Sequence, residues 1–232
     1  MNMHTDHDDF ATEPIPGLPE LLPEGERILW QGAPRWSALA ASAYHARSAA
    51  LYFGILLAWR LVSGLVAREA GASIALSLAF FTLLAGIAVA TLLLLGWLAA
   101  RTTMYTITNK RVVLRIGIAL PMTLNIPFKV VAAASARVRA DNLADIPLHL
   151  APPNRLAFLV LWPHCRPWHL RRPEPMLRCV PDGARVARIL SDALAAFHGV
   201  PAQAVAAPAA APGQGVPTQA GDVRGAIGIA AA

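Results

Sequence analysis

The sequence predicts an α+β membrane protein: a two-helix transmembrane hairpin inserted in a small cytoplasmic β-barrel, with a C-terminal capping helix. Three observations carry that prediction. Residues Ala70 to Ala100 contain no Asp, Glu, Lys, Arg or His, and as a helix at ~1.5 Å per residue such a run outlasts a ~30 Å hydrocarbon core. After Arg101 the apolar residues alternate instead of recurring at helical spacing. Beyond Asp182 they recur again every three and four residues, along one face of a helix.

Taken in order, residues 1–22 are acidic and punctuated by Pro14, Pro16 and Pro19, and read as a flexible tail. Residues 23–36 hold a turn at Pro23-Glu24-Gly25-Glu26, a short strand at Arg27 to Gln31, and a second turn leading to the membrane. The hairpin occupies residues 44–100, with spans at about 48–67 and 75–98. Trp36, Tyr44, Tyr52 and Trp97 fall at its ends, where amphipathic rings favour the headgroup level.

Residues 101–199 form the folded remainder. Met104 to Thr108, a turn at Asn109-Lys110 and the alternation of Val112, Leu114 and Ile116 predict strand, turn and strand. Met122 to Ile126, Ile146 to Leu150, Arg155 to Trp162 and Met176 to Val180 are further strand candidates. Val186, Ile189, Leu190, Ala193, Leu194 and Phe197 give the closing helix its apolar face, with Asp182 as N-cap and Gly199 as stop. Several short antiparallel strands closed by one helix describe a pleckstrin-homology-like barrel. Residues 200–232, of Ala, Pro, Gly and Gln with few charges, read as a disordered tail.

Composition agrees with a membrane setting. Of 232 residues 56% are hydrophobic and 15% charged, against about 25% charged in soluble domains. The net charge of +6 suits an anionic leaflet better than nucleic acid once two spans are present. Arg35 and Arg47 precede the hairpin and Arg101, Lys110, Arg111 and Arg115 follow it, while only Arg68, beside Glu69, lies between the spans. The positive-inside rule therefore puts both termini in the cytoplasm and a short loop outside. The polar Met1 to Phe10 predicts an uncleaved anchor rather than a signal peptide. Cys165 and Cys179 supply no disulfide framework.

Three blocks carry a family resemblance. Leu22-Pro23-Glu24-Gly25-Glu26-Arg27-Ile28-Leu29-Trp30-Gln31-Gly32 before a hairpin resembles the opening of photosynthetic complex assembly proteins of the PuhB type. Tyr105-Thr106-Ile107-Thr108-Asn109-Lys110-Arg111-Val112-Val113 is similar to their central block and to bacterial pleckstrin-homology domains generally. The block Trp162-Pro163-His164-Cys165-Arg166-Pro167-Trp168-His169 is the most specific of the three. The resemblance covers residues 15–198 and implies a non-enzymatic factor for assembling the reaction centre and core antenna of purple bacteria. The reaction-centre H subunit is the partner it points to in particular, with a homodimer as a further implied association. The family is sometimes described with three spans, but Leu156 to Trp162 is too short for a third here.

Two features stand out as partner-binding candidates. Arg60 is a charge within the first span, where it either snorkels to the outer interface or meets a partner in the membrane. The stretch Trp162, Pro163, His164, Arg166, Pro167, Trp168 and His169 is read as a rigid exposed loop whose aromatic and Arg side chains anchor a partner. Alternatives are tryptophans filling the barrel mouth or dipping into headgroups, metal ligation by His164, Cys165 and His169, and transient bacteriochlorophyll ligation by His164 or His169. Arg171, Arg172, Arg178, Arg185 and Arg188 add positive charge nearby, suited to anionic lipid. No resident cofactor, metal site or catalytic constellation is expected.

Overall fold

The computed structural model describes residues 15–118, 120–152, 156–167, 169 and 173–199. Most of the acidic tail and the Ala/Pro/Gly tail expected at the two termini lie outside them. Strand β1 (Ile28–Gly32) is followed by a short helix α1 (Trp36–Ser42) and then by two long helices, α2 (Ala46–Val66) and α3 (Gly71–Arg101). Their 21 and 31 residues extend about 32 and 46 Å at 1.5 Å per residue. Both are long and apolar enough to cross a membrane, and only 6% of the most apolar stretch of each is buried within the chain.

The chain then returns to β1. Strand β2 (Met104–Thr108) pairs with it antiparallel, Gln31 opposite Thr106 and Gly32 opposite Tyr105. Strands β3 (Arg111–Ile116) and β4 (Met122–Pro127) complete a sheet in the order β1-β2-β3-β4. A 3-10 turn at Phe128–Val130 leads to β5 (Val131–Ala134), β6 (Arg137–Val138) and β7 (Ala144–Leu150). In this second sheet β7 pairs with β5, with β6 and with β8 (Met176–Val180).

The expected barrel does not close. Two separate sheets share a core, and β4 hands no hydrogen bonds on to β5. Pro127 ends β4, where it has no N–H to offer a neighbour, and the 3-10 turn then redirects the chain into the other sheet. The two long helices stand outside that core, with very little of their surface covered.

The shared core explains the alternation read from the sequence. Tyr105, Ile107, Leu114 and Ile126 of the first sheet meet Ile146, Leu148, Leu177 and Val180 of the second, with Phe128 between them. Helix α5 (Gly183–His198) lays Val186, Leu190, Ala193 and Leu194 over them. A fully buried side chain of this size contributes about 1.5–3 kcal/mol relative to exposure. Gly183 lets α5 begin flush on β7, because a Cβ there would collide with the Ala144 backbone. Strand β3 is buried on both faces rather than alternately.

Two local expectations need correction. The strand expected at Arg155 to Trp162 is instead a single helical turn, α4 (Phe158–Leu161). Prolines at 152 and 163 flank that stretch and deprive it of ladder donors. Asp182 does not cap α5 with its side chain. It adopts φ 52°, and its backbone carbonyl receives the N–H groups of Arg185 and Val186.

Candidate functional site

The first two motif blocks meet at the turn between β2 and β3. The Glu26 carboxylate, almost wholly buried, accepts from Arg111 Nε at 2.7 Å and from the Thr108 hydroxyl at 2.8 Å. Asn109 accepts from the Arg27 N–H through Oδ1 and donates through Nδ2 to the Gly25 carbonyl. These residues therefore pin β1 to the β2–β3 turn after the chain has left for α1 to α3 and come back.

The third block builds the junction where the helices join the sheets. His164 is 1% exposed, and both its ring nitrogens are occupied. The Thr103 hydroxyl hydrogen goes to the Ala99 carbonyl at 2.6 Å, so His164 Nε2 donates to Thr103 Oγ1 at 3.1 Å. Nδ1 is then left to accept from the Tyr105 hydroxyl at 2.6 Å, which in turn accepts from the Arg178 N–H. The result is a chain of neutral, satisfied groups running from the last turn of α3, through β2, to β8. Burial, with the nearby Arg178 charge, holds the His164 pKa down at about 3, and burial raises that of Tyr105 well above its ordinary value.

Arg178 fastens the other side. Its guanidinium donates to the Pro163 carbonyl at 3.0 Å and to the Ser42 carbonyl at the end of α1 at 2.7 Å. The Arg35 N–H bonds to the Cys179 carbonyl, and Ser42 Oγ lies 3.3 Å from Cys179 Sγ. Leu39, Ala43 and Tyr44 pack with Ala99, Ala100 and Cys179 into a second apolar cluster at this joint. Burial raises the thiol pKa of Cys165 and of Cys179, which leaves both poor nucleophiles.

The stretch expected to be a rigid exposed loop is interior over Pro163, His164 and Cys165 and exposed at Trp162 and Pro167. Pro163, His164 and Cys165 are buried, because the backbone of His164 pairs with Met176 and that of Arg166 with Glu174. Trp162 remains 47% exposed, edge-on to Tyr44 at 5.2 Å, and Pro167 is exposed. Arg166 Nη1 reaches Glu174 at 3.1 Å, and His149 Nδ1 reaches the other carboxylate oxygen at 2.8 Å. Burial alone would raise Glu174, but the hydrogen bonds and charges of His149 and Arg166 hold its pKa below the ordinary carboxylate value. His169 Nδ1 donates to the Pro167 carbonyl. Trp168, Arg171 and Arg172 lie outside the described residues.

Arg60 is not part of this junction. It sits at the far end of the helical pair, where Nη2 and Nη1 meet the Glu69 carboxylate at 2.6 and 3.3 Å. Gly64 makes room there, since a Cβ would strike Arg60 and Ile74. An apolar groove of about 660 Å³ runs between α2 and α3, with Phe53, Leu57, Arg60, Phe81, Leu84 and Ala88 in its lining.

With both nitrogens engaged, His164 has no lone pair for a metal or a pigment. Among the described residues no group of three or more His, Cys, Asp or Glu is placed to hold a metal ion. The sequence reading missed Thr103, Tyr105, Ser42 and Arg178 as members of one network. Its available signal was Arg178, a charge in the middle of the otherwise apolar run Met176 to Val180.

Comparison with known proteins places this arrangement. A family model described as bacterial PH domain matches residues 49–194. A Rhodobacter capsulatus protein described as an uncharacterized 23.7 kDa protein in the puhA 5′ region is 45% identical over 209 residues, spanning 89% of this chain and 96% of the relative. No solved structure matches.

Proposed function

Because the chain belongs to the PuhB-like family of bacterial PH-domain proteins, we propose that it serves, without catalysis, as an assembly factor for the photosynthetic reaction centre and core light-harvesting complex. In this reading α2 and α3 cross the inner membrane as a hairpin with both termini in the cytoplasm. The sheets then lie at the membrane surface, and nascent subunits are found by a search confined to two dimensions. The reaction-centre H subunit is the client the family resemblance favours.

One observation carries the reading: two long apolar helices, almost uncovered by their own chain, are joined to a PH-like domain through a rigid buried network. An exposed apolar surface of that extent needs lipid or other helices around it. Arg35, Arg47 and Arg101 at the sheet end of the helices support the cytoplasmic orientation. The position of the Rhodobacter relative beside puhA, a reaction-centre gene, supports the client. The groove between α2 and α3 and the exposed Trp162 offer contact surfaces for a membrane subunit.

Affinity capture from membranes induced to build reaction centres tests the proposal. Recovery of reaction-centre subunits is expected. Recovery of anionic lipid with no such subunit supports a lipid-headgroup module instead. Fusion reporters at the C-terminus must read cytoplasmic, and a periplasmic signal refutes the orientation.

A further inference from the structure

The loop between β3 and β4 is apolar where a turn in water is ordinarily polar. Leu120 at its tip is 83% exposed, and Ile118 and Met122 are 40% and 44% exposed. The register says which way it points. Met104 opens β2 just after α3 ends at Arg101, and it pairs with Arg115, while Ile116 pairs with Met122. The loop therefore leaves the sheet at the same end as the helices. At about 4.8 Å per strand, Met122 stands two strands, roughly 10 Å, from Met104. On the other side of β2, strand β1 leaves at this same end into Arg35 and the half-exposed Trp36.

The opposite end of the sheet differs in kind. There Asn109 and Lys110 bond to Glu24, Gly25 and Arg27, and the flanking Thr108 and Arg111 bond to Glu26. The sheet thus has a charged end away from the helices and an apolar end beside them, with Arg35 and Arg101 nearby to meet lipid phosphates. Gly117 has φ 115°, and a Cβ there would collide with the Leu120 backbone carbonyl.

We propose that the β3–β4 loop inserts Ile118, Leu120 and Met122 into the headgroup–acyl boundary of the bilayer, beside the exit of α3, and so fixes the tilt of the sheet domain on the membrane. Leu and Ile gain by leaving water there, and one apolar contact on each side of the helix exit makes the attachment resist rocking. The proposal rests on the membrane insertion of α2 and α3, so its test carries a separate reporter for that insertion.

The full chain in phosphatidylcholine–phosphatidylglycerol vesicles, without other proteins, is labelled with an environment-sensitive fluorophore at one introduced thiol. The native Cys165 and Cys179 are buried and leave the new thiol as the reactive one. The variants are Leu120→Cys on the loop, Glu24→Cys at the charged end and Leu83→Cys on α3. The Leu120→Cys label is expected to shift to the blue and to lose most of its emission when the lipids are brominated near the top of the acyl chain. The Glu24→Cys label should do neither, and the Leu83→Cys label should be quenched by deeper bromine. A Leu120→Cys label that behaves like the Glu24→Cys label, while Leu83→Cys is quenched, overturns the loop proposal alone. A blue shift without bromine quenching marks burial against a second copy and also overturns it. Absence of quenching at Leu83→Cys overturns the insertion on which it rests.

Discussion

The two ends of the helical pair hold polar groups among apolar ones by opposite means. At the end nearest the sheets, His164, Tyr105 and Thr103 form a neutral chain in which every proton has an acceptor. At the far end Arg60 and Glu69 face each other as charges, with 24% and 36% of their side chains still accessible. A satisfied buried network fixes geometry, since breaking it strands a polar group without water. A part-exposed ion pair contributes little to stability and can exchange partners. The difference teaches that the junction is fixed by satisfied hydrogen bonds, while the far end is held by a part-exposed ion pair.

The largest effect is expected from His164→Ala at the junction. It removes two hydrogen bonds, leaves the Tyr105 hydroxyl proton without its acceptor and opens a cavity, so the domain should lose about 3–5 kcal/mol in urea unfolding followed by tryptophan fluorescence. Acid tests the same network through protonation. The folded His164 pKa of about 3 lies below its ordinary 6.5, so its contribution is complete above 6.5 and declines as pH falls toward 3. Unfolding midpoints across that window should drop steadily, and His164→Gln should flatten the slope. Glu174 adds a contribution that is lost only as pH falls through its lowered pKa. Next in size is Glu26→Gln, which leaves Arg111 facing a neutral amide and should cost about 1–3 kcal/mol in the same assay. Arg60→Leu combined with Glu69→Leu should change stability by less than about 1 kcal/mol. If the pair of substitutions also leaves reaction-centre assembly unchanged, Arg60 serves only the hairpin. A fall in assembly at constant stability identifies it as a contact to a client.

What the sequence made legible follows from which forces are local. Alternation at Met104 to Thr108 and at Arg111 to Ile116 marked real strands, and the three-four spacing from Val186 to Leu194 marked the buried face of α5. Closure of the barrel was not legible, because the break depends on Pro127 and the 3-10 turn diverting the chain to pair with β7 far along the sequence. The Trp162 to His169 block was found as unusual, but the burial of Pro163, His164 and Cys165 within it was hidden. Prolines and aromatics read alike in an exposed loop and in a packed joint, and only the return of Glu174 and Met176 alongside it distinguishes them. Arg178 was read as surface charge because nothing local reveals that Pro163 and Ser42 present carbonyls to it.

The proposed role requires this membrane-associated protein for building the reaction centre. Its most direct test is the amount of reaction centre, measured by absorbance in membranes of the host from which the gene has been deleted and to which it is then restored. A marked fall on deletion and recovery on restoration are expected, with the other membrane proteins unchanged. Normal reaction-centre levels without the gene would contradict it.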